Sequence, residues 1–273
     1  MVSMPKRMRT WNESKYRRYL AEGRGQGELS EYVPWVQIQD FPSKGIVSRV
    51  KGRTTGRVHH LVSNLELWYF YLIDWSEKTT DIREQFPLGD ISDAIGIADS
   101  CGISYPYDNI SGFPYVMTTD FLITTHNGYL ARSIKPSEEL KKRRVKEKLE
   151  IERRYWFKRG IDWKVVTEHE LPRTKIRNIE WIYSGNDFTE LIHNKKVEQE
   201  CKELFLEMYC GGKSAVAAIA MHVENMHGLE KGVGIALFKL LIRDGLIAVD
   251  LNKQINLTEP RREECNGTEY FCK

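Results

Sequence analysis

The run YVMTTDFLITTHNGYLARSIK, residues 115–135, constrains the fold more than any other part of the chain. Two stretches rich in β-branched and aromatic residues flank Asn127-Gly128, the pair favoured in the two-residue loop of a type I′ hairpin. With those two residues in the loop, His126 faces Tyr129 and Asp120 faces Lys135. Side chains alternate along a strand, so Ser133 shares the face of Lys135, while Phe121 and Ile134 turn together to the other.

The segments around the hairpin predict what covers it. RVHHLVSNLELWYFYLIDW, residues 57–75, offers Ser63 or Asn64 as an N-cap and then apolar residues on every side. That predicts a buried helix over about 64–75 with Glu66 in its first turn. TTDIREQFPL reads as a strand stopped by Pro87, and residues 88–114, rich in Gly, Asp, Ser and Pro, read as a long irregular insertion. Pro136 ends the hairpin, Ser137-Glu138-Glu139 opens a helix closed by Gly160, and Asp162–Thr167 is a further short strand. Helix, strand, insertion, hairpin, helix and strand in that order describe an α/β sandwich with a mixed sheet.

Beyond Pro172 the pattern changes. Helices are predicted over 197–209, 214–226 and 232–243, followed by LIAVDLNKQINL as two short strands around Asn252-Lys253. Three helices with a terminal hairpin predict a mostly α winged-helix domain. The chain therefore divides into domains at 1–172 and 173–273, both of ordinary size.

Charge assigns these halves different partners. The net charge of +3 over 273 residues excludes a strongly basic DNA-coating protein. Residues 1–172 hold 27 Lys and Arg against 23 Asp and Glu, whereas residues 173–273 hold 14 against 15. The third helix of the second half offers only Lys239 and Arg243, too little for a DNA-reading helix, so that half is expected to contact protein. Residues 1–27, with seven Lys and Arg against two Glu, read as a basic, partly flexible arm. No apolar stretch approaches the roughly 20 residues that span a bilayer, so no membrane partner is expected and the chain is placed in the cytoplasm. The five cysteines are odd in number and include no Cys-x-x-Cys, so reduced thiols are expected.

Glu66 on a buried helix, Asp120 on a strand and Lys135 opposite it would converge on one point. Phosphodiester hydrolysis uses such a group: carboxylates hold Mg²⁺, which neutralises phosphate charge and activates water, and the lysine stabilises or orients the attacking oxygen. The same residues also suit a cross-strand ion pair and a helix acid countering the dipole. Glu84 reads either as an accessory acid or as an exposed strand charge, and His59-His60 as structural. Residues 138–159 carry ten Lys and Arg against five Glu, a stripe that is either a solvated face or a track along a DNA backbone.

Several blocks narrow these choices: EGRGQG (22–27), YVPW (32–35), TGRVHHLVSNLE (55–66), DIREQFPL (81–88), MTTDFL (117–122), IKP (134–136) and EKLEIERRYW (147–156). Together, over most of residues 20–185, they resemble the TnsA family, the endonuclease subunits of heteromeric cut-and-paste transposases. The resemblance implies a restriction-endonuclease-like core of the PD-(D/E)xK type. Glu66 then matches the helix carboxylate, Asp120 the strand aspartate and Lys135 the catalytic lysine. It further implies Mg²⁺, with Mn²⁺ as a substitute, held by Glu66, Asp120 and the backbone carbonyl of Ile134. The implied partners are double-stranded DNA at transposon ends, the transposase TnsB and the regulator ATPase TnsC, and the implied setting is the bacterial nucleoid. Where the family usually has Gln, two residues before the lysine, this chain has Ser133, whose hydroxyl still suits a metal-bound water. Two other readings keep the same fold: a stand-alone restriction-like nuclease, and an inactive adaptor that recruits the partner transposase and regulator.

Overall fold

The computed structural model describes residues 10–40, 47–185 and 188–260. The chain divides into two compact units, Met1–Leu171 and Pro172–Lys273.

In the first unit, α1 (Glu13–Ala21) precedes a two-stranded antiparallel ribbon of β1 (Ser48–Lys51) and β2 (Val58–Leu61). Then come α2 (Asn64–Asp74), β3 (Thr79–Pro87) and α3 (Ile91–Ser100). The hairpin β4 (Thr118–Thr125) and β5 (Gly128–Ile134), the helix α4 (Arg143–Lys158) and β6 (Asp162–Val166) complete the unit. The main sheet runs β3-β4-β5-β6, antiparallel at the first two joints and parallel at the third. It is the mixed sheet the residue pattern predicts, with helices packed against it.

Each helix follows from its sequence. Ser63 caps α2, its Oγ accepting from the amide of Glu66, which satisfies one of the free N–H groups of the first turn. Along α4, Leu149, Ile151, Tyr155 and Trp156 recur on one side and are buried; Ile151, Tyr155 and Trp156 pack with Leu122 and Ala131 of the hairpin and with Ala94 and Ala98 of α3. Gly160, at φ 68°, ends the helix where residues with a Cβ are strained.

Three expectations for this unit need correction. Residues 88–114 are not irregular throughout, because α3 occupies Ile91–Ser100 with Asp90 as its N-cap; Ala94 and Ala98 bury one face of it. The part of the basic arm within the described residues is not loose. It folds as α1 and a turn, with Trp11, Tyr19 and Trp35 packed together. Arg24 is buried over the ring of Tyr19 and bonded to Asp40 at 2.5 Å. A side chain at Gly25 (φ 74°) would collide with the Pro87 ring at 2.4 Å, so this glycine lets the turn close on the end of β3. Residues 1–9 of the arm lie outside the described residues.

The third correction concerns register. Thr125 pairs with Gly128 and Phe121 with Arg132, so the loop is His126-Asn127 and pairing is displaced by two residues from the predicted one. A type I′ turn needs positive φ at both loop residues, and here positive φ occurs only at Gly128. Thr125 supplies the turn bonds instead, its Oγ1 accepting from the Asn127 amide at 3.2 Å and donating to the Gly128 carbonyl at 2.9 Å. Because the displacement is even, every side chain keeps its predicted face.

The second unit is helical: α5 (Arg173–Tyr183), α6 (Phe188–Leu191), α7 (Lys195–Cys210), α8 (Val216–His227) and α9 (Val233–Arg243). Its core gathers Ile179, Phe188, Phe205, Ile219, Val223, Leu237 and Phe238. At Gly234 an added Cβ would fall 2.5 Å from the Ala220 carbonyl, so α8 and α9 approach to backbone contact. The winged helix is not confirmed, because residues 246–257 form turns and bends, not a hairpin. The side-chain amide of Asn178 on α5 donates to the carbonyls of Leu251 at 2.8 Å and Lys253 at 2.7 Å. Those carbonyls are thus satisfied from the helix instead of across a strand pair. Among the described residues no helix is long and apolar enough to cross a membrane.

Candidate active site

The hairpin, the start of α2 and the middle of α4 bring acidic side chains close together. Asp120 lies near the start of β4, and one of its oxygens accepts from the Ile134 amide at 2.6 Å and from Lys135 Nζ at 2.6 Å. Lys135 thus reaches Asp120 diagonally despite the altered register. Its own amide is fixed by the Val166 carbonyl at 3.0 Å, and the next turn is tied down where the Ser137 amide donates to Glu168 at 2.9 Å.

Glu66 comes from the first turn of α2. Its carboxylate accepts from Ser63 Oγ at 3.0 Å and from the Val62 amide at 3.2 Å. Gln85 of β3 spans the two acids, with Nε2 at 3.4 Å from Glu66 and 3.5 Å from Asp120, while Thr118 donates to its Oε1 at 3.2 Å. Gln85 holds a φ of 48°, rare for a residue with a Cβ. This strain sits beside the acids, where strained backbone tends to occur in functional sites.

A third acid, Glu152 of α4, is buried behind them. Its Oε1 accepts from Thr119 Oγ1 at 2.7 Å, from Trp163 Nε1 at 3.1 Å and from the hydroxyl of Ser133. Asp120, Lys135 and Glu152 line a cleft of about 540 Å³ whose walls include Tyr115, Glu139 and Lys148.

The electrostatics show too much negative charge for one lysine. Burial, and then the charge of Asp120, pushes Glu66 up to about 7 and Glu152 up to about 7. Burial works against the Lys135 ammonium, but Asp120, through charge and hydrogen bond, holds its pKa well above the ordinary lysine value. Lys135 is therefore cationic at neutral pH while two neighbouring acids are poised near it.

Such a donor set fits a divalent cation. Among the described residues no group of three or more His, Cys, Asp or Glu is arranged as a closed metal cage. Glu66 and Asp120 offer two neighbouring carboxylates, of which Asp120 lines the cleft, and Mg²⁺ is commonly bound through one or two carboxylates plus water and substrate oxygens. An added 2+ charge would also offset the burial and the Asp120 charge that together raise Glu66 and Glu152.

Of the residues predicted for the site, Glu66, Asp120 and Lys135 come together. Ile134 enters through its backbone, its amide already on Asp120. Ser133 is 1% exposed and engaged by Glu152 and Trp163, so its hydroxyl orients Glu152. Glu84 is not an exposed strand charge. It is fully buried and clamped by two Arg57 nitrogens, His59 Nδ1 at 2.8 Å and the His60 amide at 3.0 Å. Burial would raise its pKa, yet the hydrogen bonds from Arg57 and His59 prevail and hold it down at about 2. His59 completes a structural chain by meeting Thr55 Oγ1 through Nε2 at 2.7 Å. Gln85 and Glu152 were missed. Glu152 had a signal, since it interrupts the apolar stripe of Leu149 and Trp156 at helical spacing; Gln85 had none, its role depending on a backbone angle.

Comparison with known proteins gives the family. Residues 76–168 match the family described as TnsA-like endonuclease N terminal, and residues 170–251 match TnsA endonuclease C terminal. The transposon Tn7 transposition protein TnsA of Escherichia coli is 36% identical over 253 residues, which cover 92% of this chain and 90% of that protein. The chain belongs to the TnsA endonuclease family. As a TnsA-family protein it is a nuclease of DNA transposition and recombination. Asp120, Ser133, Lys135 and Glu152 fall within the first match, and Glu66 precedes it.

Proposed function

We propose that this chain hydrolyses the 5′ strands at the ends of a transposon, using Mg²⁺ held by Glu66, Asp120 and the Ile134 carbonyl. A TnsB-like transposase would cut and join the 3′ strands, and a TnsC-like ATPase would couple excision to target choice through the second unit. The observation that carries this reading is the 2.6 Å contact between Lys135 and Asp120 beside Glu66, in a cleft with unbalanced negative charge.

When bound, the metal would supply charge neutralisation at the phosphate and a more acidic water. The protein's part follows from its own groups. Lys135 remains protonated and donates to charge developing on the scissile phosphate, an effect strongest in a water-poor cleft. Ile134 and Lys135 fix Asp120 in one orientation, and Gln85 keeps Glu66 beside it, so little reorganisation is needed when DNA enters. Glu152, anchored by Ser133, Thr119 and Trp163, closes the site from below.

Strand-specific cleavage of transposon-end DNA in Mg²⁺ or Mn²⁺, with and without the partner transposase, tests the proposal. Wild type should cut 5′ strands only with the partner; Asp120→Ala should abolish that cut and Lys135→Ala should slow it about 10²–10³-fold. Partner-dependent 5′ cutting that survives both substitutions removes the assignment. An uncut 5′ strand in a complex that still transposes would instead make the chain an assembly adaptor.

A further inference from the structure

The basic stripe of residues 138–159 is mostly neutralised within the protein. Lys141 pairs with Glu138 and Lys142 with Glu139, Arg143 and Arg144 share Glu147, Arg153 and Arg154 share Glu150, and Lys158 and Arg159 share Asp93. Only Lys146 and Lys148 have no acidic partner among the described residues. They differ in what they face, for Lys148 lines the cleft with Asp120, Lys135 and Glu152, and Lys146 does not.

Asp120 and Glu152 share the cleft with Lys148, but the charges that bear on it most are of its own sign. Burial, then the charges of Arg144 and Lys135, holds its pKa below the ordinary lysine value. A lysine placed in this way gains most from an incoming anion, and a cleft wall screens the attraction less than open solvent does. DNA brings a row of such anions, one per about 3.4 Å of axis on each strand. A phosphate seated at Lys135 therefore carries a neighbour into the same cleft.

We infer that Lys148 forms a phosphate-binding subsite, holding the backbone phosphate next to the scissile one. The inference rests on the reading of the cleft as a phosphodiester site. It divides the work between two lysines: Lys135, tied to Asp120, acts on the reacting phosphate, and Lys148, unpaired, acts in binding.

The test uses the full chain and a labelled duplex carrying the transposon end, with binding measured in Ca²⁺ across a salt series and cleavage measured in Mg²⁺ with the partner transposase. Lys148→Ala should raise the half-saturating DNA concentration about tenfold and reduce the salt slope by about one. The maximal cleavage rate should stay within about twofold, as expected when uniform binding is lost. Lys148→Arg should retain affinity, and Lys146→Ala should change neither quantity. Lys148 is exposed, so melting curves should show the variants folded. The subsite is refuted if wild type cuts and Lys148→Ala matches Lys146→Ala, or if Lys148→Ala loses maximal rate at unchanged half-saturation. If wild type binds with a Lys148-dependent slope but never cuts with the partner, the nuclease reading falls and the subsite stands. If wild type neither binds nor cuts, both fall.

Discussion

Glu84 and Gln85 are neighbours in β3, yet they belong to opposite kinds of site. Around Glu84 the charges balance: Arg57 and His59 enclose one carboxylate, which is held down at about 2. Around Gln85 they do not, since Glu66, Asp120 and Glu152 share Lys135 and two of those acids are pushed up to about 7. Burial is similar in both, so burial alone does not make a catalytic acid. What differs is whether the fold supplies the opposite charge or leaves it for a ligand to bring.

That contrast can be broken from either side. The largest effect is expected at the balanced cluster, where Glu84→Gln strands the buried Arg57 and His59 and should cost about 3–5 kcal/mol in urea unfolding. A loss under about 1 kcal/mol would mean the cluster is not holding β2 to β3. At the unbalanced cluster, Lys135→Ala should slow cleavage about 10²–10³-fold, the scale of a lost transition-state donor, while changing stability much less; single-turnover rates and a melting curve separate the two. Glu66→Gln keeps the acceptor facing Val62 and removes a repelled charge. It should stabilise the metal-free protein by about 2 kcal/mol at pH 8 while abolishing cleavage, and a destabilised variant would argue that Glu66 is already compensated.

The pH dependence sharpens the comparison, because the clusters carry opposite signs. Glu66 and Glu152 bind protons more tightly folded than unfolded, so metal-free stability should fall as pH rises from about 4.5 to about 7. Glu84 contributes stability that is complete above its ordinary value of 4.5 and is lost as pH falls toward about 2. Urea titrations across pH, with and without Mg²⁺, should show the metal removing only the first trend. The smallest effect belongs to Ser133→Ala, which takes one hydrogen bond from Glu152 and should cost about 1 kcal/mol.

These contrasts also show where sequence reading works. Ser63 and Glu66 were legible because capping is local, decided within three residues. The hairpin was legible in its faces though not in its register: parity survives an even displacement, and the choice between Asn127-Gly128 and His126-Asn127 as loop depends on the Thr125 hydroxyl. Helix α3 was hidden by averaging over 27 residues rich in Gly, Asp and Ser, although Ile91, Ala94, Ile95 and Ala98 keep helical spacing. The wing failed for a distant reason, since Asn178 takes carbonyls more than 70 positions further on. Glu84 likewise reads as an accessory acid or an exposed charge, because its partners Arg57 and His59 lie 27 and 25 residues away.

The self-paired helix α4 has a consequence for the host chromosome. Non-specific attachment to DNA is driven by the release of counterions as free cations meet phosphates. A surface whose Lys and Arg are already occupied by Glu and Asp releases few. That face should give the chain little hold on random sequence at physiological salt. The ion pairs that look like surface ornament on α4 should thus weaken non-specific attachment through that helix, leaving the hold on DNA to the cleft.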